Sequence, residues 1–147
     1  MNLVIRSFRT TDQKRVIQLW DQCGLLVPWN NPEEDIQRKL ADSPGMLIVG
    51  ELDNEVIATC IFGYDGHRGW VYYLAVKPNQ QRNKVATQMM SCVEEKLKRL
   101  GCPKINLMVR ESNLGVRQFY HKIGYSDDSV ITLSKRLLED KPYITGK

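Results

Sequence analysis

The chain has 147 residues, 42% hydrophobic and 26% charged, with 21 Lys and Arg against 17 Asp and Glu. This size and composition are typical of a globular protein and exclude a disordered or collagen-like chain. The net charge of +4 is weaker than the clustered positive charge typical of a nucleic-acid-binding protein, so we expect no nucleic-acid partner. No apolar run reaches the ~18 residues of a membrane helix and no signal peptide is visible, so we expect no membrane contact.

In the first half of the chain, the spacing of apolar residues predicts a strand, two helices and a hairpin. Residues 3–8 form the expected strand, and the pair at 11–12 is expected to cap the first helix. Asn31 caps the second helix, and Pro32 occupies its first position. Two β-rich runs flank the dipeptide at 53–54, which predicts a tight hairpin turn.

The second half alternates between strands and helices. The expected elements are a strand at 70–76, a helix at about 82–100, a strand at 104–110, a helix that starts after Asn113, and a last strand at 130–134. Short turns make the strands before residue 76 antiparallel, whereas the strand–helix–strand unit that follows should be parallel. The chain therefore predicts a mixed α/β sheet.

No repeat or flexible linker divides the sequence. We expect one domain over residues 1–147, with its core at about 3–138 and a loose polar tail at 139–147.

The four cysteines, Cys23, Cys60, Cys92 and Cys102, are irregularly spaced and form no Cys-x-x-Cys pair. This spacing predicts no metal site. Reduced thiols in a cytoplasmic protein are the better interpretation.

The junction at residues 74–87 carries the most chemical information, because a strand passes through a short polar loop directly into a helix. The first N–H groups of a helix lack internal partners and its dipole is positive there, so this junction favours phosphate. Arg82 and Lys84 add positive charge. A helix start that merely happens to be basic is the alternative.

Two segments resemble the GNAT superfamily of acyl-CoA-dependent N-acyltransferases. Residues 81–86 read Gln-Arg-Asn-Lys-Val-Ala, similar to the family's Gln/Arg-x-x-Gly-x-Gly/Ala loop, with Lys84 in place of the central glycine. Residues 113–125 are similar to the family's Asn-x-x-Ala-x-x-Phe-Tyr-x-x-Leu-Gly-Phe segment. A Cβ at Lys84 would obstruct a pyrophosphate, or its ammonium would pair with one. Residues 107–113 are distantly similar to ribosomal-protein alanine acetyltransferases, and residues 63–70 resemble a small bacterial subgroup.

This resemblance implies a GNAT fold, with a central, mostly antiparallel, twisted sheet of about six to seven strands flanked by about four helices. It implies acetyl-CoA as cosubstrate, with no metal, and a small-molecule or protein amine as acceptor, in a monomer or homodimer. The residues that it places at the cosubstrate are Leu74, Ala75, Val76, Gln81, Arg82, Asn83, Lys84, Val85, Ala86, Thr87, Asn113 and Phe119.

The resemblance also gives Tyr120 the role of general acid toward the coenzyme A thiolate; packing of a helix on the sheet is the alternative. The glutamates that relatives use as a base are absent, since Met108 and the pair at 69–70 stand in their places. Asp65 is our candidate base, although it also suits a simple turn former. The other candidates are His67, Tyr72, Tyr73 and Glu111.

Trp29, Tyr73 and His67 are candidates for contact with the acceptor. We therefore expect an N-acetyltransferase in which a primary amine directly attacks the thioester. A catalytically weak module that binds coenzyme A as a sensor is the alternative, favoured by Lys84 and the missing glutamates.

Overall fold

A five-stranded mixed sheet forms the centre of the part of the chain that the computed structural model describes, residues 2–81 and 83–143. The strands are β1 (Val4–Ser7), β2 (Leu47–Leu52), β3 (Glu55–Tyr64), β4 (Gly69–Val76) and β5 (Ile105–Leu107), and they lie side by side in this order. The first four are antiparallel to their neighbours, and β5 is parallel to β4. The predicted mixed sheet and its parallel unit are confirmed.

Four helices flank the sheet, as predicted: α1 (Gln13–Gln22), α2 (Pro32–Asp42), α3 (Val85–Arg99) and α4 (Leu114–Lys122). The start of α2 follows the sequence signal, since the Asn31 side chain accepts a hydrogen bond from the backbone N–H of Glu33 at 2.9 Å. Asp53 and Asn54 both have positive φ, which is the conformation that a two-residue hairpin turn requires.

Each face of the sheet is covered by a different pair of helices. Met89, Val93 and Leu97 of α3 pack with α4 against one face, and each is almost fully buried. Trp20 of α1 and Ile36 of α2 are fully buried against the other face. The sheet therefore separates two apolar clusters.

The C-terminal part corrects two predicted strands and, with them, the predicted strand count. Residues 130–134 pair with no strand, and the expected strand at 104–110 pairs only over Ile105–Leu107. The described residues therefore form five strands instead of six to seven. The start of the tail, expected to be loose, is held by Asp140, which accepts a hydrogen bond from the backbone N–H of Asn31 at 2.8 Å. We call residues 129–139 the C-terminal arm.

Among residues 2–81 and 83–143, no helix is both long and apolar enough to span a bilayer.

Candidate active site

The regular pairing of β3 and β4 breaks at Tyr73. Thr59 is opposite Ala75 and Ile61 is opposite Tyr72, which leaves Tyr73 and Leu74 without regular partners. Tyr73 has φ +52°, a left-handed conformation that is unfavourable for a bulky side chain. Such a bulge bends the strand and releases backbone groups from the ladder, and bulges are common beside active sites.

A buried chain of hydrogen bonds holds this bulge in place. The indole N–H of Trp20 donates to Thr59 Oγ1 at 2.9 Å, and the Thr59 hydroxyl donates to the carbonyl oxygen of Tyr73 at 3.0 Å. The Trp20 and Tyr73 rings stack with their centroids 3.9 Å apart. Packing against α1 therefore compensates the strain at Tyr73.

A cleft of about 710 Å³ opens where β4 and β5 diverge, because these strands pair only up to Val71 and Leu107. Its walls come from β4, the chain after β5, α4, and the α1–α2 region. The lining residues are Leu25, Val27, Trp29, Asn30, Asp35, Arg38, Lys39, Asp42, Ile61, Val71, Tyr72, Tyr73, Leu74, Leu107, Met108, Val109, Arg110, Asn113, Val116 and Tyr120. The cleft thus joins the bulge to both helical layers.

Tyr120 lies at the cleft with its ring almost fully buried. Phe119 and Tyr125 pack edge-on against it, at centroid distances of 5.0 and 5.4 Å. Within the described residues its hydroxyl has no hydrogen-bond partner. Burial raises the pKa of Tyr120 above its usual value, so the phenol stays protonated at neutral pH. The site therefore presents a protonated hydroxyl that is free to contact a ligand.

Asn113 both caps a helix and lines the cleft. Its side-chain oxygen accepts a hydrogen bond from the backbone N–H of Val116 at 3.3 Å, so that it caps α4. The same residue lines the cleft.

The predicted phosphate loop enters α3 through an unusual backbone conformation. Lys84, the residue before α3, has φ +60° and ψ +18°, the left-handed region that glycine adopts without strain. Gln81 donates from Nε2 to the carbonyl oxygen of Val76 at 2.9 Å and so ties the loop to the end of β4. Ala86 and Thr87 lie in the first turn of α3, where backbone N–H groups lack helical partners. Arg82 lies outside the described residues.

The cleft is also lined by charged groups of α2 that the sequence analysis missed. The Tyr73 hydroxyl donates to Asp35 Oδ2 at 2.7 Å. The Lys39 side chain is only 13% exposed, and its ammonium lies 3.9 Å from Asp42 Oδ2. Burial lowers the pKa of Lys39. Asp35 and Lys39 are one helical turn apart, a spacing that places them on the same side of α2 and could have been read as a polar stripe.

The structure does not bring Asp65 or His67 into the cleft. Asp65 Oδ1 accepts hydrogen bonds from the backbone N–H groups of His67 and Arg68, both at 2.8 Å, and Oδ2 accepts from the Trp70 indole at 3.2 Å. The backbone N–H of Arg68 is the main cause of the lowered pKa of Asp65. This geometry is that of a turn former. Trp29, 56% exposed, and Tyr73 do line the cleft.

The glycine at position 69 explains one of the missing glutamates. A Cβ there would lie 2.9 Å from both the Cys102 sulfur and Leu97 Cδ1, so a side chain at the start of β4 would require these two side chains to move. Met108, at the other place, is 54% exposed and lines the cleft. Within the described residues, no three His, Cys, Asp or Glu side chains come together as metal ligands.

Comparison with known proteins decides the family. Residues 13–125 match the model of the acetyltransferase (GNAT) family. The chain belongs to this family. An acetyltransferase of Pectobacterium atrosepticum is 48% identical to this acetyltransferase over 139 residues, which cover 95% of this chain and 99% of that protein. The predicted family and enzyme class are confirmed.

Solved structures with low sequence identity share the fold of this acetyltransferase. PaiA N-acetyltransferase from Thermoplasma acidophilum, solved in complex with coenzyme A, superposes with a TM-score of 0.76 at 16% identity, covering 89% of this chain and 94% of that one. The ribosomal-protein-S18-alanine N-acetyltransferase from Escherichia coli gives 0.73 at 18% identity, with coverage of 87% and 80%. The predicted fold class is confirmed.

Proposed function

We propose that this acetyltransferase moves an acetyl group from acetyl-CoA to a primary amine of a small molecule or a protein, by direct attack of the amine on the thioester. The observation that carries the proposal is the cleft itself, which places the β4 bulge and the unpartnered Tyr120 hydroxyl on one cavity. The PaiA structure with bound coenzyme A supports this choice of cosubstrate.

The chemistry of the donor end fits a nucleotide thioester. The first turn of α3 offers N–H groups and a positive dipole to a diphosphate, and Lys84 adds charge beside them. The proposed contact residues are Leu74, Ala75 and Val76 on β4; Gln81, Asn83, Lys84, Val85, Ala86 and Thr87 at the start of α3; and Asn113 and Phe119 around α4. Arg82 stays a prediction from the sequence.

The chain's own groups then have separate tasks. The cosubstrate supplies an activated acetyl group, on whose oxygen negative charge develops during attack. Backbone N–H donors at the Leu74 bulge would stabilise that charge, an effect typically worth about 3–4 kcal/mol per donor. The Tyr120 hydroxyl would donate its proton to the departing thiolate.

Asp35 and Tyr73 suit the acceptor amine better than Asp65 does. Their hydrogen-bonded pair lies in the cleft next to Leu74, where Asp35 Oδ1 also accepts a hydrogen bond from Arg38 at 3.3 Å. A carboxylate attracts an amine group and can take up the proton that a neutral amine loses once it has attacked the thioester. We therefore propose Asp35 as the group that binds the amine and takes up its proton. Trp29 and Lys39 would contact the remainder of the acceptor, with Lys39 favouring an acceptor that also carries a negative group.

The Tyr120→Phe variant tests whether Tyr120 acts as the general acid. It should lower kcat by about 10²- to 10⁴-fold, the usual contribution of a general acid, because only the transferable proton is removed. Coenzyme A affinity, measured by calorimetry, should stay the same. The matched control is Tyr125→Phe, which removes a hydroxyl from the same aromatic cluster; this hydroxyl binds Glu94 at 2.6 Å instead of facing the cleft. Equal turnover in both variants would exclude Tyr120 from the mechanism.

A panel of amines tests the reaction. Free thiol should appear from acetyl-CoA only when an acceptor is present, and amines that carry a carboxylate should have a lower KM than their neutral analogues. Tight coenzyme A binding without thiol release from any amine would instead support the sensor function.

A further inference from the structure

Lys39 of α2 presents a partly buried ammonium group to the cleft. Its side chain is 13% exposed, and the nearest carboxylate oxygen within the described residues, Asp42 Oδ2, lies 3.9 Å from Nζ. This distance is too long for a hydrogen bond, and Lys39 donates none within residues 2–81 and 83–143. The Asp42 side chain is 77% exposed, so water screens its attraction. Lys39 therefore has a charge and N–H donors that are available to a ligand.

The other two cations that line the cleft differ from Lys39. The Arg38 guanidinium donates to Asp35 Oδ1 at 3.3 Å and also binds Asp140, so two carboxylates already compensate its charge. Arg110, just before α4, is exposed, so solvent screens its charge. Lys39 is thus the cation of the cleft that is both partly buried and without a close partner among the described residues.

Gly63 of β3 makes room for this ammonium group. A Cβ at Gly63 would lie only 3.2 Å from Lys39 Nζ, so a side chain there would crowd it. Gly63 is opposite Trp70 in the register of β3 and β4. The ammonium therefore lies beside this pair of residues, some distance along the strands from the bulge at Leu74.

The register also gives the distance from this ammonium to the proposed reaction site. Trp70 and Leu74 are four residues apart on β4, which corresponds to about 13 Å along a strand. An anion that binds Nζ from the side of the cleft lies about 3 Å nearer to Leu74. An amine at Leu74 and an anion on Lys39 are therefore about 10 Å apart, which is the length of about three residues of extended chain.

The charges around Lys39 favour an anion with a single charge. Asp35 and Asp42 line the cleft on the same helix as Lys39, and they would repel a second negative charge. A carboxylate carries one charge, whereas a phosphate ester carries about 1.5 to 2 at neutral pH. The site therefore suits a carboxylate better than a phosphate.

We propose that Lys39 selects the acceptor by its length, because it binds a carboxylate that lies about 10 Å from the attacking amine, as in an extended tripeptide with a free carboxyl end. This inference rests on the acetyl transfer proposed above and adds the class of acceptor that the cleft takes. A partly buried ammonium without a partner is unfavourable, and a carboxylate that hydrogen-bonds to it compensates this cost. Only an acceptor of the right length provides that compensation while its amine reaches Leu74.

Oligoglycines of two to five residues test the selection, each supplied both as the free acid and as the C-terminal amide. All of them present an α-amine, whose usual pKa of about 7.7–8.0 leaves a neutral fraction at pH 7.5. The quantity to measure is kcat/KM for the acid divided by kcat/KM for the amide, from thiol release. This ratio should be highest for triglycine, at about tenfold, the lower end of what a hydrogen bond to a charged group contributes. A ratio that is the same at every length, or highest at another length, would overturn the inference.

The Lys39→Gln variant tests the residue itself. It removes the charge and keeps a polar side chain, so the acid-to-amide ratio for triglycine should fall to about one. Lys98→Gln is the matched control, because it removes the same charge from an exposed position on α3 that does not line the cleft. This variant should keep the full ratio, and circular dichroism checks that both variants fold. A ratio that survives in Lys39→Gln, or that Lys98→Gln lowers equally, would contradict the role of Lys39.

Thiol release also separates a failure of this inference from a failure of the proposed function. If acids and amides react equally well, or if other amines react and no oligoglycine does, acetyl transfer stands and selection by Lys39 is wrong. If no amine of any kind releases thiol from acetyl-CoA, the proposed function itself is wrong.

Discussion

Thr59 determines the shape of the cleft through one hydroxyl group. The residue is fully buried, and its oxygen connects the indole of Trp20 to the carbonyl of Tyr73. Since Tyr73 has an unfavourable backbone conformation, this connection stabilises the bulge that leaves Tyr73 and Leu74 without regular strand partners.

Replacing Thr59 with Val should therefore affect stability and turnover together. The change keeps the shape of the side chain but leaves a buried N–H and a buried C=O unpaired, which costs about 2–4 kcal/mol in total. We expect a corresponding loss in the free energy of unfolding, measured with urea, and a lower kcat.

The control is Thr59→Ser, which keeps the hydroxyl and removes only a methyl group, at a cost of about 1 kcal/mol. It should retain turnover. If Ser and Val lowered kcat equally, the hydroxyl would not be what holds the bulge.

At the scale of an element, the start of α3 carries Lys84 where the GNAT loop pattern has its central glycine. Lys84 adopts the left-handed conformation that the family's glycine adopts freely. The Lys84→Gly variant removes about 1–2 kcal/mol of backbone strain from the folded state. It also increases the conformational entropy of the unfolded chain, which lowers the free energy of unfolding by about 0.4–1 kcal/mol. We expect a net gain of about 1 kcal/mol in the free energy of unfolding, seen as a higher Tm.

The Lys84→Gln variant separates charge from conformation, since it removes the ammonium and retains the Cβ. It should leave Tm unchanged. It should also weaken coenzyme A binding about two- to fivefold, because the loss of one exposed ion pair changes an affinity by about that factor. A Tm that rises equally in both variants would contradict the strain argument.

Elements with local signals were predictable from the sequence, and features made by distant contacts were not. Asn31 places the start of α2, because a cap needs only its own helix. The bulge at Tyr73 depends on Trp20 and Thr59, which lie 53 and 14 residues away in the sequence. A contact between residues so far apart cannot be predicted from a local sequence pattern. Asp35 was missed for the same reason, since its partner is on another element.

The missing last strand is a different kind of failure. The β-propensity of residues 130–134 is real, but a strand forms only when an edge is available to pair with it. In the described structure residues 130–134 pair with no strand, and side-chain contacts hold the C-terminal arm at both ends.

At the scale of the whole molecule, Asp140 connects the end of the C-terminal arm to α2. Its side chain, 3% exposed, accepts hydrogen bonds from the Arg38 guanidinium and from the backbone N–H of Asn31. The hydrogen bond from Arg38 is the main cause that lowers the pKa of Asp140 to about 2.

This attachment should weaken in acid in a defined range. An aspartate in an unfolded chain has a pKa of about 3.9, so the stabilisation is complete above that value and is lost as the pH falls toward about 2. The Asp140→Asn variant cannot ionise. The difference in Tm between the unchanged protein and this variant should be constant above pH ~5 and should shrink as the pH falls.

Glu139→Gln, a neutral replacement of the exposed neighbouring acid, should behave like the unchanged protein at every pH. A difference for Asp140→Asn that persists undiminished at low pH would mean that the carboxylate charge does not hold the arm.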